Sequence, residues 1–120
     1  MYTDFLKTLI ESPEINDIFV RGRDNIELLS SEEFYRFSNM AFQAFSFFSA
    51  SRFQHSSGVL SESDWFEHLA IIRFWLRGKG CQQWWNRLGI HMYGPDFVAF
   101  IDSELKNFEK AAQTPDTDVN

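Results

Sequence analysis

Four residues able to do chemistry together flank one turn signal. Arg52, His55, Glu62 and Trp65 stand on either side of Ser56-Ser57-Gly58. A histidine beside a carboxylate can act as a general base or as a metal ligand. No nucleophile or third ligand falls nearby, however, and the same four residues can simply lock a helical turn. In that arrangement Arg52 stacks on Trp65 and His55 bonds Glu62. The locked turn is the expectation, with no catalysis, no cofactor and no metal.

Three further groups invite a chemical reading. His68 follows Asp64 by one turn and adjoins Glu67, but only Asp64 shares its helical face, and two ligands do not make a zinc site. A surface histidine is expected. Arg77-Gly78-Lys79-Gly80 suggests a phosphate loop, yet it lacks the length and terminal Lys-Ser/Thr of that motif, and no strand precedes it. A helix–helix connector is expected, whose glycines beside Lys79 could still hold a loose anion. Cys81 lies at the same helix start, which can lower a thiol pKa. His91 is its candidate orienting partner, and a buried, idle thiol is the expectation.

The least ordinary stretch runs between Glu67 and Asp96, where no acidic residue occurs. It holds Arg73, Arg77, Lys79 and Arg87 together with Trp75, Trp84 and Trp85. Clustered beside an exposed tryptophan, these cations would suit phosphate, an anionic headgroup or an acidic partner. The candidate binding set is Arg73, Arg77, Lys79, Trp84, Trp85 and Arg87. The alternative is that basic residues finish helices here and the tryptophans belong to the core.

The chain that must position these groups has 120 residues and a formal net charge of −6. That charge argues against bulk attraction to nucleic acid. One cysteine excludes an intramolecular disulfide and fits a reducing compartment. No apolar run approaches the roughly 20 residues that span a bilayer. Met1 to Glu11 lacks the basic flank and apolar core of a secretory signal, so a cytoplasmic location is expected.

Helical periodicity runs through the whole chain, with Phe 14, Trp 4 and Tyr 3 set mostly on apolar stripes. A short helix is predicted over 3–11, with Phe5, Leu6, Leu9 and Ile10 on one face. Ser12-Pro13 opens a second that ends near Gly22, and Arg21 to Glu27 reads as a loop. Ser30 and Glu33 form a capping-box pattern, with Leu29 and Phe34 as a staple. The long helix that follows carries Phe34, Phe37, Ala41, Ala44, Phe45 and Phe48 inward, widened by Tyr35 and Phe42, and runs to Ser56. Ser61 and Asp64 start the next, with Trp65, Leu69, Ile72 and Leu76 inward and Gly78 as its stop. Counting outward from Gly58 pairs Phe48 with Leu69 and Phe45 with Ile72. A fifth helix is expected from Gly80 to Leu88. Gly94-Pro95 opens a sixth, with Phe97, Phe100, Ile101, Leu105 and Phe108 inward and Asp102 and Lys106 paired outside. The expected fold is all-α: a compact bundle of about six helices around a long central antiparallel helical hairpin. It forms one domain over 1–112, with 113–120 a disordered tail.

The sequence resembles an uncharacterised bacterial all-α family, a domain of unknown function. The resemblance rests on Pro13-Glu14-Ile15, Phe19, Arg21-Gly22, Phe34, Arg36-Phe37, Phe53-Gln54-His55, Gly58-Val59-Leu60 and Trp65. It continues through Trp84-Trp85, Pro95-Asp96-Phe97, Phe100-Ile101-Asp102 and Leu105, and so covers nearly the whole chain apart from the tail. Members of that family often carry transmembrane helices before the domain, which implies a membrane-proximal cytoplasmic module; no such stretch precedes residue 13 here. The function expected is a non-enzymatic interaction or regulatory module that binds a protein partner, a second copy of itself included. The alternatives are docking on anionic lipid or phosphate through the 73–87 region, and a small enzyme using His55 and Glu62.

Overall fold

Ser12 and Pro13 open the first complete helix of the computed structural model, which describes residues 6, 7, 9 and 11–113. Ser12 Oγ accepts from the Ile15 N–H, and Pro13, with no N–H to leave unpaired, takes the first position of α1, Pro13–Asp24. The segment expected to be loop from Arg21 is therefore helical through Asp24, its first four residues. Arg21 bonds Asp17 one turn back and Glu33 across the fold, which holds that last turn in place. Asn25 then caps a 3-10 turn, Ile26–Leu28.

The capping box at Ser30 is complete. Ser30 Oγ accepts from the Glu33 N–H at 3.2 Å, and Glu33 Oε1 accepts from the Ser30 N–H at 2.9 Å. It starts α2, Ser31–Ser56, whose 26 residues make a rod of about 39 Å. The longest dimension of the molecule is 41 Å, so α2 crosses it. Gly58, at φ 79°, turns the chain as only a residue without Cβ does cheaply. Ser61 then caps α3, Glu62–Leu76, by accepting from the Asp64 N–H. The chain continues through α4, Lys79–Arg87, a 3-10 turn at Gly89–His91, and α5, Pro95–Gln113. Among the described residues the fold is all helix, with no strand. Leu6, Lys7, Leu9 and Glu11 are helical; the remainder of the helix predicted over 3–11, and of the tail after Gln113, lies outside the described residues. No helix among the described residues is long and apolar enough to cross a membrane.

The core is a cluster of rings around Phe45. Its ring lies 5.3 Å from Phe48, 5.3 Å from Trp84 and 5.5 Å from Trp85, the last pair stacked. Trp75 completes the cluster against Phe19, Phe45 and Phe48. Such ring pairs contribute about 0.5–1.5 kcal/mol each beyond the area they bury. Tyr35, expected to widen the stripe, is instead exposed, and Phe42 is half covered by Tyr93. Asp102 does not pair with Lys106: its carboxylate accepts from Trp85 Nε1 at 3.1 Å, which satisfies a buried indole N–H.

The backbones of α1 and α4 approach closely at their glycines. A Cβ on Gly80 would fall on the Gly22 carbonyl, only 2.7 Å from its carbon, and one on Gly78 would lie 2.9 Å from the Arg23 carbonyl oxygen. Gly22 itself leaves room for the buried Phe37 ring. Both glycines of the Gly-Lys-Gly run are thus spacers that let two helices cross.

Candidate functional site

The helix ends at Gly58 bring part of the predicted polar cluster together. His55 Nε2 and Glu62 Oε1 are 2.9 Å apart, and the His55 ring stacks on Trp65 at 4.6 Å and 9°. Arg52 does not stack on Trp65, because His55 occupies that face. Its guanidinium lies 4.6 Å over Phe100, with Asp96 Oδ2 3.7 Å from Nε. The Glu62 side chain is 88 % exposed. The arrangement fastens α2 to α3 and both to α5.

His68 turns away from Asp64 and Glu67. Its Nδ1 is 2.8 Å from Ser51 Oγ and its ring is 5.1 Å from Phe47. It is half-buried between helices, not the surface histidine expected. Among the described residues, no three His, Cys, Asp or Glu side chains are grouped to hold a metal ion.

The acid-free stretch does not form one patch. Trp84 and Trp85 are fully buried, as is Trp75, so none is an exposed binding residue. The physical reason is that α4 packs against α1, α2 and α3, which leaves both adjacent tryptophans facing neighbours. Arg73 donates to Glu104 at 2.6 Å, and Glu104 is 7 % exposed. Arg87 donates to Glu27 at 2.8 Å and lies over Phe34. Two of the four basic residues are thus answered by carboxylates from other segments. Arg77 and Lys79 have no carboxylate partner among the described residues; Arg77 lies 5.7 Å over the Phe108 ring, and both line a groove of about 530 Å³ that Arg23 also lines.

Cys81 is buried in the α1–α4 crossing, and loss of solvation pushes its thiol up to about 12, a shift that the charge of Arg23 only partly opposes. His91 is exposed at the surface, so the structure does not join the two.

Residues outside the predicted sets matter as much. Arg23 was read as loop, yet its Nη2 donates to the Phe74 carbonyl at 2.6 Å and its guanidinium covers the Phe74 ring at 4.2 Å. Phe53, Val59 and Phe66 are exposed by 72 %, 76 % and 75 %. Phe53 and Val59 flank Gly58, and Phe66 lies in the second turn of α3, so all three belong to the hairpin end of those helices. A signal existed for Phe53: it follows Phe48 by five residues and so falls off the inward stripe. For Phe66 the signal is its place directly after the inward Trp65, about 100° round the helix.

No known protein family, curated protein or solved structure matches this chain.

Proposed function

We propose that this chain is a non-enzymatic helical interaction module: a compact bundle of about six helices built on the α2–α3 hairpin, binding a protein partner through the hairpin end. One observation carries the reading, the exposure of Phe53, Val59 and Phe66 at that end. Burying side chains of this kind is worth about 1.5–3 kcal/mol each. The core is already filled by other aromatics, so these three contribute little to it. A group of large apolar side chains left in water at one end of a small domain suits a partner surface. A cytoplasmic, membrane-proximal setting accords with the family resemblance.

The test pairs wild type with Phe53→Ser/Phe66→Ser. The variant should melt as wild type does, because both residues are exposed. It should lose the partner retained by wild type from native-host lysate, or lose concentration-dependent dimerisation in sedimentation equilibrium. A wild-type monomer that retains nothing, or a partner held equally by the variant, refutes the proposal.

A second reading is docking on anionic lipid or phosphate. It is narrowed to Arg77 and Lys79, because Arg73 and Arg87 have carboxylate partners.

A further inference from the structure

Acids outnumber bases in this chain by 17 to 11, so ion pairing should leave carboxylates over and few bases unanswered. Five of the seven arginines follow that expectation. Arg21, Arg36, Arg52, Arg73 and Arg87 each have a carboxylate oxygen within 4.0 Å. Arg23 and Arg77 have none among the described residues, and both line the same groove as exposed Lys79, the Arg77 guanidinium also lying 5.7 Å over the Phe108 ring. Three cations left over in an acidic protein thus converge from α1, from the C-terminal end of α3 and from the first residue of α4.

We infer that this groove binds a phosphate group. Arg23 is fixed at the groove wall: its Nη2 is tied to the Phe74 carbonyl, its guanidinium covers the Phe74 ring, and its Nε is buried with no partner among the described residues. Planar guanidinium groups suit the tetrahedral, multiply accepting phosphate. Arg21 also lines the groove but is spent on Asp17 and Glu33, and Asp24 at the rim sets a limit on net positive charge. The volume, about 530 Å³, exceeds a bare phosphate and fits a phosphate ester or a headgroup. Val20 and Leu28, each more than half exposed, flank the cations and suit the apolar part of such a ligand. This gives the second reading above a specific site, and it rests on nothing at the hairpin end.

The experiment has two arms with the full chain. Pyrophosphate is titrated calorimetrically, and phosphatidylcholine vesicles with and without phosphatidic acid are co-sedimented. Arg77→Glu and Lys79→Glu are compared with Lys106→Glu, the same charge change elsewhere. All three positions are exposed or half-exposed, and a melting curve establishes that each variant folds. The expected result is binding in at least one arm, weakened about tenfold or more by each groove variant, the factor one charge-assisted hydrogen bond supplies, and little changed by Lys106→Glu. Binding of free pyrophosphate assigns a soluble phosphate ester, and binding to phosphatidic acid vesicles alone assigns a lipid headgroup. No binding in either arm overturns the inference, as does binding that Lys106→Glu weakens equally or that the groove variants leave intact. Loss of the Phe53/Phe66 interaction has no bearing on these outcomes.

Discussion

Gly80→Ala tests whether the Gly-Lys-Gly run is a helix crossing, since an anion loop at the surface would tolerate one methyl group. The added Cβ falls on the Gly22 carbonyl and 2.7 Å from its carbon, whereas ordinary contact begins near 3.4 Å. The obstacle is backbone, which cannot swing aside as a side chain can, so α1 and α4 must part by roughly 1 Å or more. A gap of that size forfeits about a quarter to a half of the dispersion energy of the lining atoms. Those atoms include Cys81, Phe37 and their neighbours in the core. Overpacking typically costs about 1–3 kcal/mol, and a backbone obstacle puts this case at the upper end. A loss of about 3 kcal/mol lowers the melting midpoint of a domain this size by roughly 10–20 °C. Gly94→Ala is the control: nothing lies within 4 Å of its added Cβ and its φ is not positive. It should be neutral or stabilise by about 0.4–1 kcal/mol. Urea denaturation of the two variants reads the difference directly. A Gly80→Ala midpoint within about 0.5 kcal/mol of wild type would refute the crossing as the reason for this glycine.

Three other perturbations have definite signs. Arg73→Ala leaves the buried Glu104 carboxylate with Asn107 as its remaining hydrogen-bond partner among the described residues; because Arg73 is half exposed, the cost should be about 1–3 kcal/mol rather than the larger figure for a fully buried pair, and Arg73→Ala/Glu104→Gln should recover part of it in a double-mutant cycle. Glu33 is held down at about 2 by the Arg21 guanidinium first and the Ser30 N–H second. A depressed carboxylate stabilises above its ordinary value near 4.5 and loses that contribution as pH falls toward 2, so the acid limb of a stability–pH curve should flatten in Glu33→Gln. Cys81 behaves oppositely: the thiol ionises near 9 when unfolded but at about 12 when folded, so stability falls as pH rises through that interval. Its labelling by iodoacetamide should follow opening of the α1–α4 crossing, and rapid labelling of the folded protein would contradict the burial.

Local signals were legible in the sequence because their causes are local. Ser12-Pro13, Ser30 with Glu33, Ser61 before α3 and Gly94-Pro95 each act within three or four residues, and each marks a helix start in the structure. The stripe from Phe37 to Phe48 was legible for the same reason. What pairs across the fold was not. Arg23 meets a carbonyl 51 residues away, and Arg87 meets a carboxylate 60 residues away. An acid-free window therefore looked more basic than it is, because Glu27 and Glu104 reach it from elsewhere. Trp84 and Trp85 sit about 100° apart on α4, so periodicity alone would bury one of them. Only packing on several sides at once buries both. Phe53 and Phe66 were the converse case, aromatics adjacent to inward residues that no neighbouring helix covers.

The exposed apolar residues and the cations without a carboxylate partner among the described residues stand toward opposite ends of α3. Phe66 lies in its second turn and Arg77 caps its end, eleven residues or roughly 16 Å apart along the axis. The Debye length at physiological salt is about 8 Å, so a charge change in the groove is largely screened at the hairpin end. Phe66 and Arg77 do line one small groove of about 170 Å³ with Leu69, Ala70 and Arg73, but on the opposite face Ile72, Trp75 and Leu76 anchor α3 in the core between its two ends. The two surfaces should therefore act independently. Arg77→Glu/Lys79→Glu ought to leave partner retention at the hairpin end unchanged, and Phe53→Ser/Phe66→Ser ought to leave pyrophosphate or vesicle binding unchanged, with combined variants additive within about 0.5 kcal/mol. A coupling larger than that would mean that one partner spans both sites, or that α3 moves as ligands bind; the division of this molecule into two separate surfaces would then be wrong.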